Sequence, residues 1–484
     1  MIPFKSAQIK LVTKDSNRHP RVIIAEHQSD WSLMGFNEQE VEYITQKIGE
    51  EKELITIQLL NEVIYIQLLN KKKDKAAHEV IESYRKAGCQ IAASLNGLKQ
   101  KAVTVAGADG EAILAMAEGM ALGNYQFLKY KEDAKKLTHS LELIEVLSKD
   151  IKAADVAYLN ALVDATCTAR TLVNEPQSFL TAEELAAQIV DMGKRAGFGV
   201  EVLNKAKIKS LKMGGLLSVN LGSQNPPTFT IMEYKPKGAK NKKPLVLIGK
   251  GVVYDTGGLS LKPTPNSMDS MKCDMAGAAT VASVIYGIAQ LKLPYYIIGL
   301  APATDNRPGE NAYTPGDVIT MMSGKTVEML NADAEGRMIL ADALHYAKRY
   351  NPEFVIDLAT LTGAAAAAIG GYGIVAMGTA DESVKNELKK SGEDVYERLV
   401  EFPFWSEYKD LLKSDIADMK NIGGPVAGAI TAGKFLEYYI DYPWMHLDIA
   451  GPAFINNNDS YRGKNGTGTG VRLLMNFVKN KLKK

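Results

Sequence analysis

The sequence predicts an α/β protein of two domains, a smaller N-terminal one (residues 1–150) and a larger C-terminal one (151–484) built on a central, mostly parallel or mixed sheet flanked by helices. Three observations carry this expectation. The chain has 484 residues, too many for one ordinary hydrophobic core. Short β-branched runs alternate along it with longer helical patterns. In the second half the apolar runs are more continuous, as strands covered on both faces should be.

In the N-terminal domain the runs at 9–12, 22–25, 54–60, 63–69 and 103–105 read as strands, and the patterns at 76–87 and 111–122 as helices. Charged sequence at 129–140 precedes another apolar run, 141–147, and the boundary is placed near 150. The pattern at 151–172 is then a connecting helix. Beyond it, 244–249, 295–300, 354–358 and 374–377 read as buried strands, separated by helices at 276–289, 338–350 and 427–439. The lysine-rich 235–243 is expected to be an exposed turn between two strands, and the alanine run 364–368 to mark tight packing near glycines.

Composition narrows the function classes. Apolar residues at 46% and charged residues at 23% fit a soluble globular chain. Lys plus Arg (57) nearly cancels Asp plus Glu (56), which argues against a nucleic-acid binder. The lysine runs at 71–73 and 479–484 read as solvated surface. The opening MIPFKSAQIKLV has two early lysines and no apolar run of signal-peptide length, so neither a leader nor a membrane span is expected. Cys89, Cys167 and Cys273 read as free thiols in a reducing compartment. The six histidines are scattered, so carboxylates would have to carry any metal.

The chemistry is concentrated in three segments. After the strand at 244–249 comes KGVVYDTGGLSLKPT, then MDSMKCDMAGAAT, and later NADAEGRMILADAL. They supply Lys250, Asp255, Lys262, Asp269, Asp274, Asp333, Glu335 and Arg337. Open α/β sheets bind ligands at the carboxyl ends of their strands, where these segments should fall. Crowded carboxylates repel one another, and divalent ions relieve that repulsion. Two ions sharing a carboxylate can activate water and polarise a carbonyl together. Asp333, Glu335 and Arg337 alternate, and in extended backbone would point one way. Arg337, at the start of the following helix, could hold a small anion with the free backbone N–H groups there. Taken singly, each feature has a plainer use. Asp333 and Glu335 could cap a helix, Lys250 and Lys262 could reach solvent, and Asp269 reads better as a turn residue. The GKG at 249–251 lacks the spacing of a phosphate-binding loop.

At these residues the sequence resembles the leucyl aminopeptidase family, the cytosol aminopeptidases. The resemblance lies in Lys250 with Tyr254-Asp255-Thr256-Gly257-Gly258, in 271–277, and in Asn331-Ala332-Asp333-Ala334-Glu335-Gly336-Arg337. It extends to Ser414-Asp415-Ile416-Ala417-Asp418-Met419-Lys420-Asn421 and to His446-Leu447-Asp448-Ile449-Ala450-Gly451, and it covers about 150–480. It implies a two-metal aminopeptidase acting on short peptides with leucine or another apolar first residue. Asp255 and Glu335 would bridge two divalent ions (zinc or manganese, with magnesium or cobalt as options at the exchangeable site). Lys250 and Asp274 would complete the tighter site and Asp333 the exchangeable one. Lys262 would stabilise the oxyanion formed when the bridging water or hydroxide attacks, and Arg337 would hold bicarbonate as general base. Lys262, Asp274, Met271, Leu361 and Ala453 would contact substrate. A cytoplasmic homohexamer, a dimer of trimers, is implied as well.

The family often has Ser at the position of Thr256 and Thr at that of Ala332, and the stretch 304–314 differs from commoner members. Cys273 precedes a ligand but has no ligand role in the family. The alternatives are a dipeptidase of other specificity, such as for cysteinylglycine, and an additional DNA-binding role.

Overall fold

A computed structural model describes the chain except residues 1, 3, 5, 16–17, 61, 70–75 and 484, so the lysine run at 71–73 and the last lysine lie outside the described residues. The chain forms two compact units, one mainly of residues 4–167 and the other mainly of 168–457 and 464–484. They divide within the helix Ala153–Asn174, which starts just past the boundary read from the sequence.

In the first unit a six-stranded sheet runs in the order Gln8–Leu11, Leu143–Leu147, Ala102–Gly107, Arg21–Ala25, Val63–Leu68, Leu54–Gln58. All neighbours are parallel except the last pair. The helix Ala77–Gly97 runs past its expected end at 87 because Ile91, Ala92 and Leu95 extend its buried face. It packs closely on the helix Gly110–Gly123: a Cβ on Gly88 would lie 2.2 Å from Met116 O, and one on Gly119 1.9 Å from Arg85 O. Only glycine lets the two backbones meet there.

The second unit carries the sheet that matters for chemistry. Its order is Leu399–Glu401, Ile374–Gly378, Trp444–Asp448, Phe354–Ala359, Leu245–Gly249, Ile297–Asn306, Thr228–Tyr234, Gly199–Leu203. The four strands from Trp444–Asp448 to Ile297–Asn306 are mutually parallel and wholly buried. Strands on either side of them run antiparallel, so the sheet is mixed. Alternation along Leu245–Gly249 shows why both faces are apolar. Val246 and Ile248 join a core with Ile339 and Leu344, while Gly249 abuts Ala278 of the helix Ala276–Gln290. A small sheet, Asp317–Thr320, Thr326–Met329 and Met419–Lys420, leads into the segment at 330–334.

Two local expectations are corrected. The helix expected at 338–350 begins at Glu335, and its α-helical part ends at Ala347. Glu335 and Arg337 are therefore helical, and 333, 335 and 337 do not alternate along extended backbone. The alanine run lies in a helix, Gly363–Ile369, in which only Ala365 is buried. The tight packing is next to it, where a Cβ on Gly451 would lie 2.1 Å from Gly370 O. The 235–243 segment is indeed a largely exposed connection between Thr228–Tyr234 and Leu245–Gly249. Among the described residues no helix is long and apolar enough to cross a membrane.

One buried carboxylate ties several of these parts together. Asp342, on the helix Glu335–Ala347, accepts hydrogen bonds from Leu216 N (3.0 Å) and Met322 N (2.9 Å). It thereby caps the helix Gly214–Val219 and fixes the turn between two strands of the small sheet. Burial pushes its carboxyl up to about 7, against the pull of those donors. The folded chain therefore keeps a proton that the unfolded chain releases above about pH 4, so this contribution to stability is full below that pH and lost as pH rises through 7. In urea unfolding, the stability of wild type minus that of Asp342→Asn should fall by about 3 kcal/mol between pH 4 and 7. A difference that does not change with pH would contradict the assignment.

Candidate metal centre

Every polar side chain of the centre leaves the carboxyl edge of the central sheet or a turn pressed against it. Lys250 follows the strand Leu245–Gly249, and Asp255 ends the strand Gly251–Asp255, which pairs with Ile297–Asn306. Thr360 and Leu361 follow Phe354–Ala359, and Asp448 closes Trp444–Asp448. Asp274 stands in the turn before Ala276–Gln290, and Glu335 opens the helix Glu335–Ala347. Glycines make this convergence possible. A Cβ on Gly277 would lie 2.1 Å from Leu358 O, and one on Gly336 would meet Lys250 Cε at 2.6 Å and Nζ at 2.7 Å. Gly257, at φ +84°, turns the chain back after Asp255.

Four carboxylates and two ammoniums meet at this edge. Lys250 Nζ lies 2.8 Å from Asp274 Oδ1 and 2.7 Å from Glu335 Oε1, and donates to Thr360 O at 2.9 Å. Lys262 Nζ lies 2.9 Å from Asp255 Oδ2 and also contacts Asp333 Oδ1. One carboxylate oxygen each from Asp255, Asp333 and Glu335 fall within 4.8 Å of one another. The lysines leave two negative charges uncompensated, counting all six groups as ionised. The proton affinities reflect this. Burial, then Asp255 and Glu335, pushes Asp333 up to about 7, and burial holds Asp274 well above the usual carboxylate range. Both ammoniums hold their protons more tightly than usual, the carboxylates outweighing burial.

The donor set fits divalent cations. Glu335 Oε2 and Asp274 Oδ2 are buried without a hydrogen-bond partner, an arrangement that costs on the order of 1–3 kcal/mol per group unless a cation satisfies it. The partnered oxygens are held from behind. Asp255 Oδ1 accepts from Gly257 N and Asn306 Nδ2, both at 2.8 Å, and Asp274 Oδ1 accepts from Thr360 Oγ1 at 2.8 Å. Such outer partners aim the remaining oxygens into the centre.

The other residues singled out in the sequence fall as follows. Arg337 is the third residue of its helix and is buried. Its Nη1 donates to Asn421 O at 2.7 Å, its Nε has no partner, and burial lowers it to about 10. Met271 and Leu361 are half-buried and Ala453 is buried. Asp269 is exposed and accepts from Asn266 N, a local turn contact. Cys273 is buried with its thiol pushed up to about 12 by burial, so it remains protonated.

Several residues of the centre gave no chemical signal in the sequence, although Asn421 and Asp448 lie in segments that carry the family resemblance. Asn306, Thr360, Asn421 and Asp448 are buried polar side chains whose use is visible only in three dimensions. Asp448 accepts from Leu361 N (3.1 Å) and Thr362 Oγ1 (2.7 Å), which fixes the loop carrying Thr360. Asn306 also donates to Ala332 O at 3.0 Å, joining the Asp255 turn to the Asp333 segment.

Cation binding should stabilise the fold by about 4 kcal/mol at a thousandfold excess over the dissociation constant. Thermal unfolding with and without manganese should show this gain in wild type and lose it in Glu335→Gln. In chelator the same variant should be no less stable than wild type, since it removes one of the excess charges. A large loss in chelator would mean that Glu335 serves the fold and not a cation.

Comparisons with known proteins agree with this geometry. Residues 167–475 match the cytosol aminopeptidase family, catalytic domain, and residues 69–134 match its N-terminal domain. The chain is 44% identical over 403 residues to a probable cytosol aminopeptidase of Chlorobium limicola, covering 80% of this chain and 79% of that one. Among solved structures, a tomato leucine aminopeptidase variant superposes with a TM-score of 0.86 at 26% identity, covering 99% of this chain and 98% of that one. The bottromycin maturation enzyme BotP, in complex with Mn, gives 0.82 at 28% identity, covering 96% and 99%. With the carboxylate-lined centre in place, these matches show that the chain belongs to the cytosol aminopeptidase family and is a metal-dependent aminopeptidase, a peptide hydrolase.

Proposed function

We propose that the enzyme removes the first residue of short peptides, preferring leucine or another apolar side chain, with the help of two divalent ions that Asp255 and Glu335 would hold in common. Lys250 and Asp274 would complete one ion site and Asp333 the other. The observation that carries this reading is the convergence of these five side chains, with two buried carboxylate oxygens unpartnered. Zinc or manganese are the favoured ions, with magnesium or cobalt as alternatives at the Asp333 site. When bound, two such ions would acidify water, polarise the scissile carbonyl and anchor the free α-amino group, restricting cleavage to the N-terminal bond.

The chain's own groups supply the rest. Bound cations would reverse the pull of the carboxylates on Lys250, which as a neutral amine would keep an N–H for Thr360 O and turn its lone pair inward. Lys262 stays charged and stabilises the oxygen that gains charge as the carbonyl is attacked. Arg337, with an unpartnered Nε near a helix start, would hold bicarbonate, which would supply a proton acceptor there. Met271, Leu361 and Ala453 border the first side chain. We assign the chemistry to residues 151–484 and a part in assembly to 1–150. A cytoplasmic homohexamer fits the exposed Tyr372, Trp405, Ile416 and Val426, apolar surface that an assembly would cover.

Hydrolysis of leucine p-nitroanilide tests the reading. Activity should disappear after chelation and return with zinc or manganese. Lys262→Ala should lower kcat by about 10²–10³-fold, and Arg337→Ala should abolish stimulation by bicarbonate. A panel of first residues that includes cysteinylglycine reads the preference. No cleavage of any member with any of these metals would overturn the proposal.

A further inference from the structure

The segment 414–421 matched the family resemblance without showing what it does. It is strapped along the strand Thr326–Met329, which leads into the Asp333 turn. Ser414 Oγ donates to Glu328 Oε2 at 2.5 Å, and Asp418 Oδ2 accepts from Thr326 N at 2.8 Å. Met419 and Lys420 pair in parallel with Val327 and Glu328, and Asn421 N continues the ladder to Glu328 O at 3.0 Å. Asn421 is thereby held, fully buried, at the end of the strap.

From there it makes four further bonds. Its Oδ1 accepts from Leu330 N at 2.8 Å and Asn331 N at 3.4 Å, its Nδ2 donates to Asn331 O at 2.8 Å, and its backbone carbonyl accepts from Arg337 Nη1 at 2.7 Å. Asn331 in turn accepts from Asp333 N at 2.8 Å through its side chain. One residue therefore grips the backbone that presents Asp333 and also orients the Arg337 guanidinium. A short amide suits this task, because it offers an acceptor and a donor one carbon from the backbone. Aspartate would keep the acceptor and lose the donor, and alanine would lose both.

We propose that Asn421 is a positioning residue that couples the Asp333 ion site to the anion site at Arg337. This rests on the roles given above to Asp333 and Arg337. Outer partners of metal ligands typically contribute about 10–100-fold in metal affinity. The test uses the assembled full-length enzyme as wild type, Asn421→Ala and Asn421→Asp. Manganese binding is followed by the electron paramagnetic resonance of the free ion, and the bicarbonate concentration giving half-maximal activity is measured alongside.

Asn421→Ala should weaken the weaker class of manganese site by about 10–100-fold and, by releasing the side-chain bonds that hold its backbone carbonyl against Arg337, raise the bicarbonate requirement, leaving the tighter class unchanged. Asn421→Asp should fall between it and wild type, and is judged alone by the same criteria if the alanine variant does not assemble. Values within twofold of wild type for both quantities would overturn the role of Asn421 while leaving the two-ion reading intact. Equal weakening of both manganese classes would also overturn it, as a general loss of order. A wild type with one class of site and no response to bicarbonate would overturn the functional reading and this inference together.

Discussion

The centre depends on one electrostatic constraint, the excess of negative charge buried at the carboxyl edge of the sheet. Asp255, Asp274, Asp333 and Glu335 are packed around two ammoniums that cannot neutralise them. Taking such charges out of water is expensive, and ion pairing alone repays it poorly when oxygens are left without partners. A fold selected only for stability would have little use for Glu335 Oε2 or Asp274 Oδ2 in their present places. The arrangement becomes favourable when divalent cations enter.

The surrounding fold keeps that unfavourable cluster from relaxing. Four parallel strands with both faces buried end at the same edge, so their exits cannot drift apart. Backbone and amide donors grip Asp255 from behind, Thr360 grips Asp274, and Asp448 holds the loop that carries Thr360. Asp342 does similar work away from the chemistry, locking the helix Glu335–Ala347 onto its neighbours through two backbone N–H groups. Preorganisation of this kind matters for catalysis, because ligands and charge stabilisers already in place need no reorganisation during reaction. Gly277 and Gly336 are where the sequence gives up side chains so that Asp274 and Lys250 can approach.

Much of this was legible in the sequence. Buried strands show themselves as unbroken apolar runs, and all four expected in the larger domain are present. Glycine-flanked carboxylates after those runs marked the edge where chemistry would gather. The helix start was misjudged because Glu335 and Arg337 are charged, and nothing in a linear pattern reveals that a helix begins by burying them. Asn306 gave no signal, and Asn421 and Asp448 stood out only through the family resemblance, for a related reason. A lone Asn or Asp in a polar stretch looks like surface, and its value here comes from partners up to about ninety residues away. The alanine run misled in the opposite direction, since small apolar residues suggest burial whereas this helix leaves most of them exposed.

Anomalous diffraction from crystals soaked in manganese tests the account most directly. Two peaks should lie among Asp255, Asp274, Asp333 and Glu335, with the contacts of Lys262 to Asp255 and Asp333 broken and Lys250 still donating to Thr360 O. Peaks elsewhere, or a centre with the lysines still paired to the carboxylates in saturating manganese, would mean that the buried charge is a structural ion network and not a cation site.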